Sequence, residues 1–87
     1  MKQKTLIIDV REPYEYTKGH VQGAINIPPQ SLMAGAPELA DISKDTQIIL
    51  YCLSGARSSV SMNILKAQGF TNLINGINQD HVKARYL

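Results

Sequence analysis

The chain has 87 residues, of which 44% are hydrophobic, so it is long enough for one compact domain over residues 1–87 and too short for two. Its net charge of +2 comes from nine Lys and Arg against seven Asp and Glu, without a basic run of the kind that binds nucleic acid. Its apolar runs are far too short to span a bilayer, so we expect neither nucleic acid nor a membrane as a partner.

Short apolar runs predict four strands, at residues 6–10, 24–27, 47–51 and 70–74, and a further N-terminal strand would be reduced to residues 2–5. Because these runs are almost uninterrupted, the strands are expected to be buried on both faces. Helices are predicted at residues 13–18, 58–68 and 78–86, with irregular turns inside residues 31–39. The alternation predicts an α/β fold in which helices cover both faces of a central parallel sheet of four to five strands.

The same patterns predict several local details. In the helix at residues 58–68, Val60, Ile64 and Ala67, with Leu65 beside them, recur at helical spacing and predict an amphipathic helix. The Asn75-Gly76 pair follows the last predicted strand and is expected to form a turn. The four tyrosines are expected to be amphipathic residues at the edge of the core: Tyr14, Tyr16, Tyr51 and Tyr86.

Cys52 is the only cysteine, which excludes an intrachain disulfide and a cysteine-rich metal site, and we expect neither a metal nor another cofactor. The residue is either a buried apolar filler or a reactive thiol. It directly follows a predicted strand and precedes a predicted helix, which is the junction where open parallel sheets bind their ligands. This position favours the reactive thiol.

The segment after Cys52 has the features of an anion-binding loop. Its candidate substrate-binding residues are Leu53, Ser54, Gly55, Ala56, Arg57 and Ser58. Gly55 can adopt a positive φ, which allows successive backbone N–H groups to point inward, and the positive end of the next helix dipole lies at the same place. With Arg57 nearby, such a loop favours the thiolate of Cys52, which is the nucleophilic form.

Asp9 and Arg11 are candidate supporting residues because they lie at the carboxyl end of the first predicted strand. They could line the pocket, but a buried Asp–Arg pair that fixes the loop is favoured. His20 follows a glycine and is expected to anchor a turn by hydrogen bonding rather than to act as a base. His81 is expected at the surface of the terminal helix.

Three segments together resemble the signature segments of the rhodanese family, in the order found in single-domain rhodaneses of the small phage-shock type. They are residues 9–12 (DVRE), 19–28 (GHVQGAINIP) and 51–58 (YCLSGARS). The resemblance covers residues 6–76 and implies a rhodanese-like, three-layer α/β domain. It also implies that Cys52 is the catalytic residue, carrying a persulfide sulfur that the backbone amides of residues 53–58 hold.

The resemblance implies a thiosulfate sulfurtransferase. The donor would be a small sulfur anion such as thiosulfate, and the acceptor would be cyanide, a thiol or a protein. The compartment would be the cytoplasm if Met1 is the natural start, and the periplasm if a signal peptide was removed.

Two alternatives stay open. One is a cysteine-dependent phosphatase or arsenate reductase of related fold, in which the loop from cysteine to arginine is one residue longer. The other is a non-catalytic module that binds or relays sulfur for a protein partner. The chain departs from the family at Asn75-Gly76-Ile77, where a glycine pair is usual, and the role of this segment is left open.

Overall fold

The computed structural model describes residues 5–87, so the strand extension expected at residues 2–4 lies outside the described part of the chain. One parallel sheet contains four strands: β1 (Thr5–Asp9), β2 (Ile25–Asn26), β3 (Gln47–Tyr51) and β4 (Leu73–Ile77). Their order across the sheet is β2-β1-β3-β4, so β1 and β3 are central. The predicted α/β class and parallel sheet are confirmed.

Four α-helices connect or follow these strands: α1 (Pro13–Lys18), α2 (Pro29–Met33), α3 (Ala56–Ala67) and α4 (Gln79–Tyr86). A short 3-10 helix, Pro37–Leu39, precedes β3. Proline opens both α1 and α2, where its missing N–H costs no hydrogen bond. The side chain of Asn78 caps α4 by accepting a hydrogen bond from the His81 N–H at 2.8 Å.

The strands bury side chains on both faces of the sheet, as their continuous apolar runs predict. On one face, alternate residues of β1 and β3 pack with Leu32 of α2 and Leu65 of α3. On the other face, Ile7, Ile49 and Tyr51 pack with Val82 of α4. Helices therefore cover both faces of the sheet, as predicted, and Cys52 lies on the face that α3 covers.

The predicted start of the helix after Cys52 is wrong, and its predicted buried face is right only at Leu65 and in part at Ile64, which packs against the core. The helix begins at Ala56 rather than at residue 58. Its buried residues are Ser58, Ser61 and Leu65, whereas Val60 is 55% exposed and Ala67 is also exposed. Small serines can be buried here because their hydroxyls hydrogen-bond to nearby groups, such as the Arg57 carbonyl that accepts from Ser61 at 2.8 Å. A search for apolar periodicity does not detect such a face.

The predicted turn at Asn75-Gly76 is also wrong, since both residues lie inside β4. The strand pairs Leu50 with Asn75 and Tyr51 with Ile77, so Gly76 is the extra residue of a bulge. A Cβ at Gly76 would lie 2.6 Å from Val82 and 2.8 Å from Ile49. Glycine is therefore required there by the close approach of α4 and not by a turn.

Candidate functional site

Cys52 directly follows β3 and is 1% exposed. Its backbone N–H donates a hydrogen bond to the Ile77 carbonyl at 3.0 Å, so the carboxyl ends of β3 and β4 together fix its backbone. A cleft of about 330 Å³ opens beside it, lined by Cys52, Leu53, Asn78, Gln79 and Asp80. The sulfur thus lies at the carboxyl edge of the sheet, next to the N-termini of α3 and α4.

The loop after Cys52 turns its backbone toward the sulfur. Gly55 has φ +95°, a conformation that residues with a Cβ rarely adopt, and its N–H donates to Cys52 Sγ at 3.1 Å. The Ser58 hydroxyl lies 3.7 Å from the same sulfur. Burial raises the pKa of the Cys52 thiol, but hydrogen bonds from Ser58, Ser54 and Gly55 outweigh it and lower the pKa to about 7. The thiolate is therefore more accessible near neutral pH than it is for a free cysteine.

The predicted substrate-binding residues divide between two elements. Leu53, Ser54 and Gly55 form the loop, whereas Ala56, Arg57 and Ser58 belong to the first turn of α3. Leu53 is 61% exposed and lines the cleft.

Arg57 forms an ion pair across the molecule with a residue that the sequence did not single out. Its Nη1 and Nη2 donate to the Glu15 carboxylate of α1 at 2.7 and 3.1 Å. The hydrogen bond from Arg57 is the main reason that the pKa of Glu15 falls to about 2. The side chains are 36% and 14% exposed, respectively, so the pair is at the surface beside the loop.

The proposed supporting residues, Asp9 and Arg11, form a buried pair, 0% and 4% exposed. Arg11 Nη2 donates to Asp9 Oδ2 at 2.7 Å and to the Gly19 carbonyl at 2.7 Å. The Tyr51 hydroxyl donates to Asp9 Oδ2 at 2.8 Å and accepts from the Val21 N–H at 3.0 Å. These contacts tie β1 and β3 to residues 19–21, and the residues that line the cleft are different ones.

The remaining aromatic and histidine residues lie in varied surroundings. Tyr51 is completely buried and hydrogen-bonded, so its expected place at the core edge is wrong, as it is for Tyr14, which is 63% exposed. His20 stacks on Tyr16 with ring centroids 3.7 Å apart, and its Nδ1 lies 2.9 Å from the Tyr16 carbonyl, which suits a turn anchor. His81 is half-buried at the start of α4 rather than fully at the surface.

Sequence reasoning missed two groups of residues near the sulfur. Asn75 hydrogen-bonds to Gly55 and Ser58, and the carboxamides and carboxylate at residues 78–80 line the cleft. The last strand was predicted at residues 70–74, so Asn75 was assigned to a turn and was not considered as a residue near Cys52. Had β4 been extended to residue 77, Asn75 would have been placed opposite Leu50, two residues before Cys52.

The arrangement can bind an anion and supply a nucleophile. A buried thiolate at a strand end, with N–H groups directed at it and two helix N-termini nearby, stabilises negative charge on sulfur. Within residues 5–87, no group of three or more His, Cys, Asp or Glu side chains is placed to hold a metal ion. In the same range, no helix is both long enough and apolar enough to cross a membrane.

The chain is similar in sequence to a known protein family and to several of its named members. A family model described as a rhodanese-like domain matches residues 1–79. The chain is 39% identical over 69 residues to YrkF of Bacillus subtilis, whose name describes a sulfur carrier, covering 79% of this chain and 36% of YrkF. It is 30% identical over 73 residues to a protein of Allochromatium vinosum named sulfurtransferase, covering 84% of this chain and 65% of that protein.

A solved structure supports the same grouping. A rhodanese with anions from E. coli has a TM-score of 0.80 and 33% identity to this chain, covering 90% of this chain and 91% of that one. Several curated relatives are longer proteins, of which the chain spans 18% to 36%.

Proposed function

The chain belongs to the rhodanese family, and on this premise we propose that it is a sulfurtransferase that moves a sulfane sulfur through a persulfide on Cys52. The donor is thiosulfate or a similar small anion, and the acceptor is cyanide or a thiol. The observation that carries the proposal is the Gly55 N–H directed at Cys52 Sγ, at 3.1 Å. A hydrogen bond of this kind stabilises a thiolate and, after transfer, the negatively charged outer sulfur of a persulfide.

The proposed reaction has two steps. In the first, the Cys52 thiolate attacks the outer sulfur of thiosulfate, the S–S bond of the donor breaks, and sulfite leaves with the bonding electron pair. In the second, cyanide or a thiolate attacks the outer sulfur of the persulfide, and the Cys52 thiolate is released with its electron pair. The backbone amides of residues 53–58 hold the transferred sulfur, and Arg57 supplies positive charge beside the loop.

The direct test is intact-mass spectrometry of the protein after incubation with thiosulfate. We expect a gain of one sulfur atom, removed again by cyanide or by a thiol. Cys52→Ser is expected to remain folded, to gain no sulfur and to form no thiocyanate, because a hydroxyl of similar size neither ionises near neutral pH nor forms a persulfide. Substantial thiocyanate formation by a folded Cys52→Ser protein would refute the proposed role of Cys52.

A second function is favoured by the relative whose name describes a sulfur carrier. In this version, Cys52 relays sulfur to a protein, and the exposed Leu53 side chain beside the cleft suits contact with such a partner. Sulfur uptake from thiosulfate distinguishes the sulfurtransferase from the relay module. A relay module takes up sulfur from thiosulfate slowly or not at all and passes it on only when its partner protein is present.

A further inference from the structure

We propose that Asn75 is a positioning residue for Cys52, whose carboxamide holds the two backbone segments that contact the nucleophile, at Gly55 and at Ile77. The inference rests on the proposed function, since it assigns Asn75 to the same site. Asn75 is on β4 and is not one of the residues that the sequence singled out.

The Asn75 carboxamide makes three hydrogen bonds. Its Nδ2 donates to the Gly55 carbonyl at 3.1 Å, and its Oδ1 accepts from the Ile77 N–H at 3.0 Å. Oδ1 also lies 2.6 Å from the Ser58 hydroxyl oxygen. A backbone carbonyl can only accept and a backbone N–H can only donate, so these two partners fix which end of the carboxamide is nitrogen and which is oxygen.

This orientation determines the direction of the Ser58 hydroxyl. Because Asn75 Oδ1 is an acceptor, the single Ser58 proton is directed to it at 2.6 Å, in preference to the Gly55 carbonyl at 3.1 Å or Cys52 Sγ at 3.7 Å. The sulfur is then held chiefly by backbone N–H groups. The Gly55 N–H, 3.1 Å from Sγ, is then a closer donor to the sulfur than the Ser58 hydroxyl at 3.7 Å.

The second segment that Asn75 holds is strained. Ile77 has φ +72°, a conformation that β-branched residues rarely adopt. Both of its peptide groups are used at this point: its N–H donates to Asn75, and its carbonyl accepts from the Cys52 N–H at 3.0 Å. Asn75 is thus linked to Cys52 from two directions, through Gly55 to the sulfur and through Ile77 to the backbone. The bulge at Gly76 separates Asn75 from Ile77 and so permits this geometry.

The test measures the ionisation of Cys52 separately from sulfur transfer. The rate of alkylation by iodoacetamide as a function of pH gives the midpoint of thiol ionisation in wild type, Asn75→Ala and Ser58→Ala. We expect Asn75→Ala to raise the midpoint by about one pH unit, since Gly55 is no longer held against the sulfur. We expect Ser58→Ala to raise it less. Asn72→Ala is the matched control, because Asn72 also donates to a backbone carbonyl, at the other end of β4, and should leave the midpoint unchanged.

Two outcomes overturn the proposal. One is an Asn75→Ala protein with a lower Tm but an unchanged midpoint, which identifies a purely structural residue. The other is a larger rise of the alkylation midpoint in Ser58→Ala than in Asn75→Ala, which would show that the Ser58 hydroxyl is the more important donor to the Cys52 thiolate. If Asn75→Ala does not fold, the NMR measurement on the wild-type protein tests the proposal in its place.

The proposal can also be tested by NMR on the wild-type protein, which does not depend on whether a variant folds. The side-chain NH₂ resonances of Asn75 in NMR spectra should shift with the same pH midpoint as Cys52 alkylation, and the Asn72 NH₂ resonances should not. If the chemical shifts of the Asn75 NH₂ group do not change over the pH range in which Cys52 ionises, the proposal is overturned. Because these experiments require no sulfur donor, they distinguish failure of the Asn75 inference from failure of the sulfurtransferase proposal.

Discussion

Arg57 of α3 is bound through two hydrogen bonds to Glu15 of α1, so the guanidinium closest in sequence to Cys52 shares its charge with a carboxylate. The pair joins the first turn of α3 to the helix after β1 and fixes where the guanidinium lies. It also weakens the attraction of Arg57 for a substrate anion, because the two charges partly cancel at a distance.

Substitutions in this pair should change thiosulfate use in opposite directions. Arg57→Ala is expected to raise the KM for thiosulfate, because it removes the cation beside the loop and leaves Glu15 uncompensated. Glu15→Gln is expected to lower that KM by about two- to fivefold at low ionic strength, because it removes negative charge while Gln can still accept from Arg57. Steady-state kinetics at two salt concentrations measure both effects, and salt should diminish them.

A charge-matched control is Glu38→Gln, at an exposed residue of the 3-10 helix that does not line the cleft, which should leave the KM unchanged. A purely structural ion pair gives a different pattern. Both Arg57→Ala and Glu15→Gln would then lower the Tm, and the KM of the folded protein would not move.

Alkylation of Cys52 should have a midpoint near pH 7, because hydrogen bonds to the sulfur outweigh the effect of burial on its pKa. The thiolate is the reactive form, so the rate should reach a plateau above the midpoint and fall about tenfold per pH unit below it. The pKa of Glu15, about 2, keeps its ion pair intact throughout this range, so that pair contributes no second step. A midpoint at the ordinary thiol value, with the protein folded, would contradict the geometry of the loop.

Much of the fold could be predicted from the sequence, because apolar runs and helix boundaries are determined by short stretches of the chain. The segments that became β1, β3 and α1 were placed within about a residue of their positions, and Cys52 was placed at a strand-to-helix junction. Glycine at residue 55 was also assigned to a positive φ correctly. These features depend on neighbours within a few positions along the chain.

The structural features that the sequence did not predict depend on contacts between residues far apart in the chain. Glu15 meets Arg57 across 42 residues, and no local pattern pairs a particular carboxylate with a particular guanidinium. The Asn75-Gly76 pair is typical of a turn, but pairing with Leu50 and Tyr51 of β3 places both residues within a strand. The buried face of α3 is built on serines, whose burial depends on hydrogen bonds that are visible only after folding.

Removal of the Tyr51 hydroxyl should destabilise the protein without changing the chemistry at Cys52. Tyr51→Phe leaves the buried Val21 N–H without its acceptor and removes one donor from Asp9, so we expect a loss of about 1–3 kcal/mol in the free energy of unfolding. Urea denaturation measures this loss. Tyr14→Phe, at a residue that is 63% exposed, should change it by less than about 0.5 kcal/mol.

The length of the loop provides the last prediction, which separates sulfur transfer from phosphate chemistry. Four residues, Leu53 to Ala56, lie between Cys52 and Arg57, whereas the related cysteine phosphatases have a loop one residue longer. A shorter loop has fewer inward N–H groups, so it suits one sulfur atom better than a phosphoryl group with three equatorial oxygens.

We therefore expect a larger kcat/KM for thiosulfate and cyanide than for an aryl phosphate on one preparation, by about 5- to 150-fold, because a single unmatched charged oxygen costs about 1–3 kcal/mol. Insertion of one glycine after Ser54 should depress sulfur transfer, since it moves the Gly55 N–H away from the sulfur that it contacts at 3.1 Å. The control is one glycine inserted after Ser43, in the exposed segment before β3, at the opposite edge of the sheet from Cys52. That control should retain sulfur transfer.

Two outcomes would contradict the prediction. A larger kcat/KM for phosphate release in the wild-type protein would assign the site to phosphoryl chemistry. Equal loss of sulfur transfer in both insertion variants would show that the length of the loop does not determine the activity.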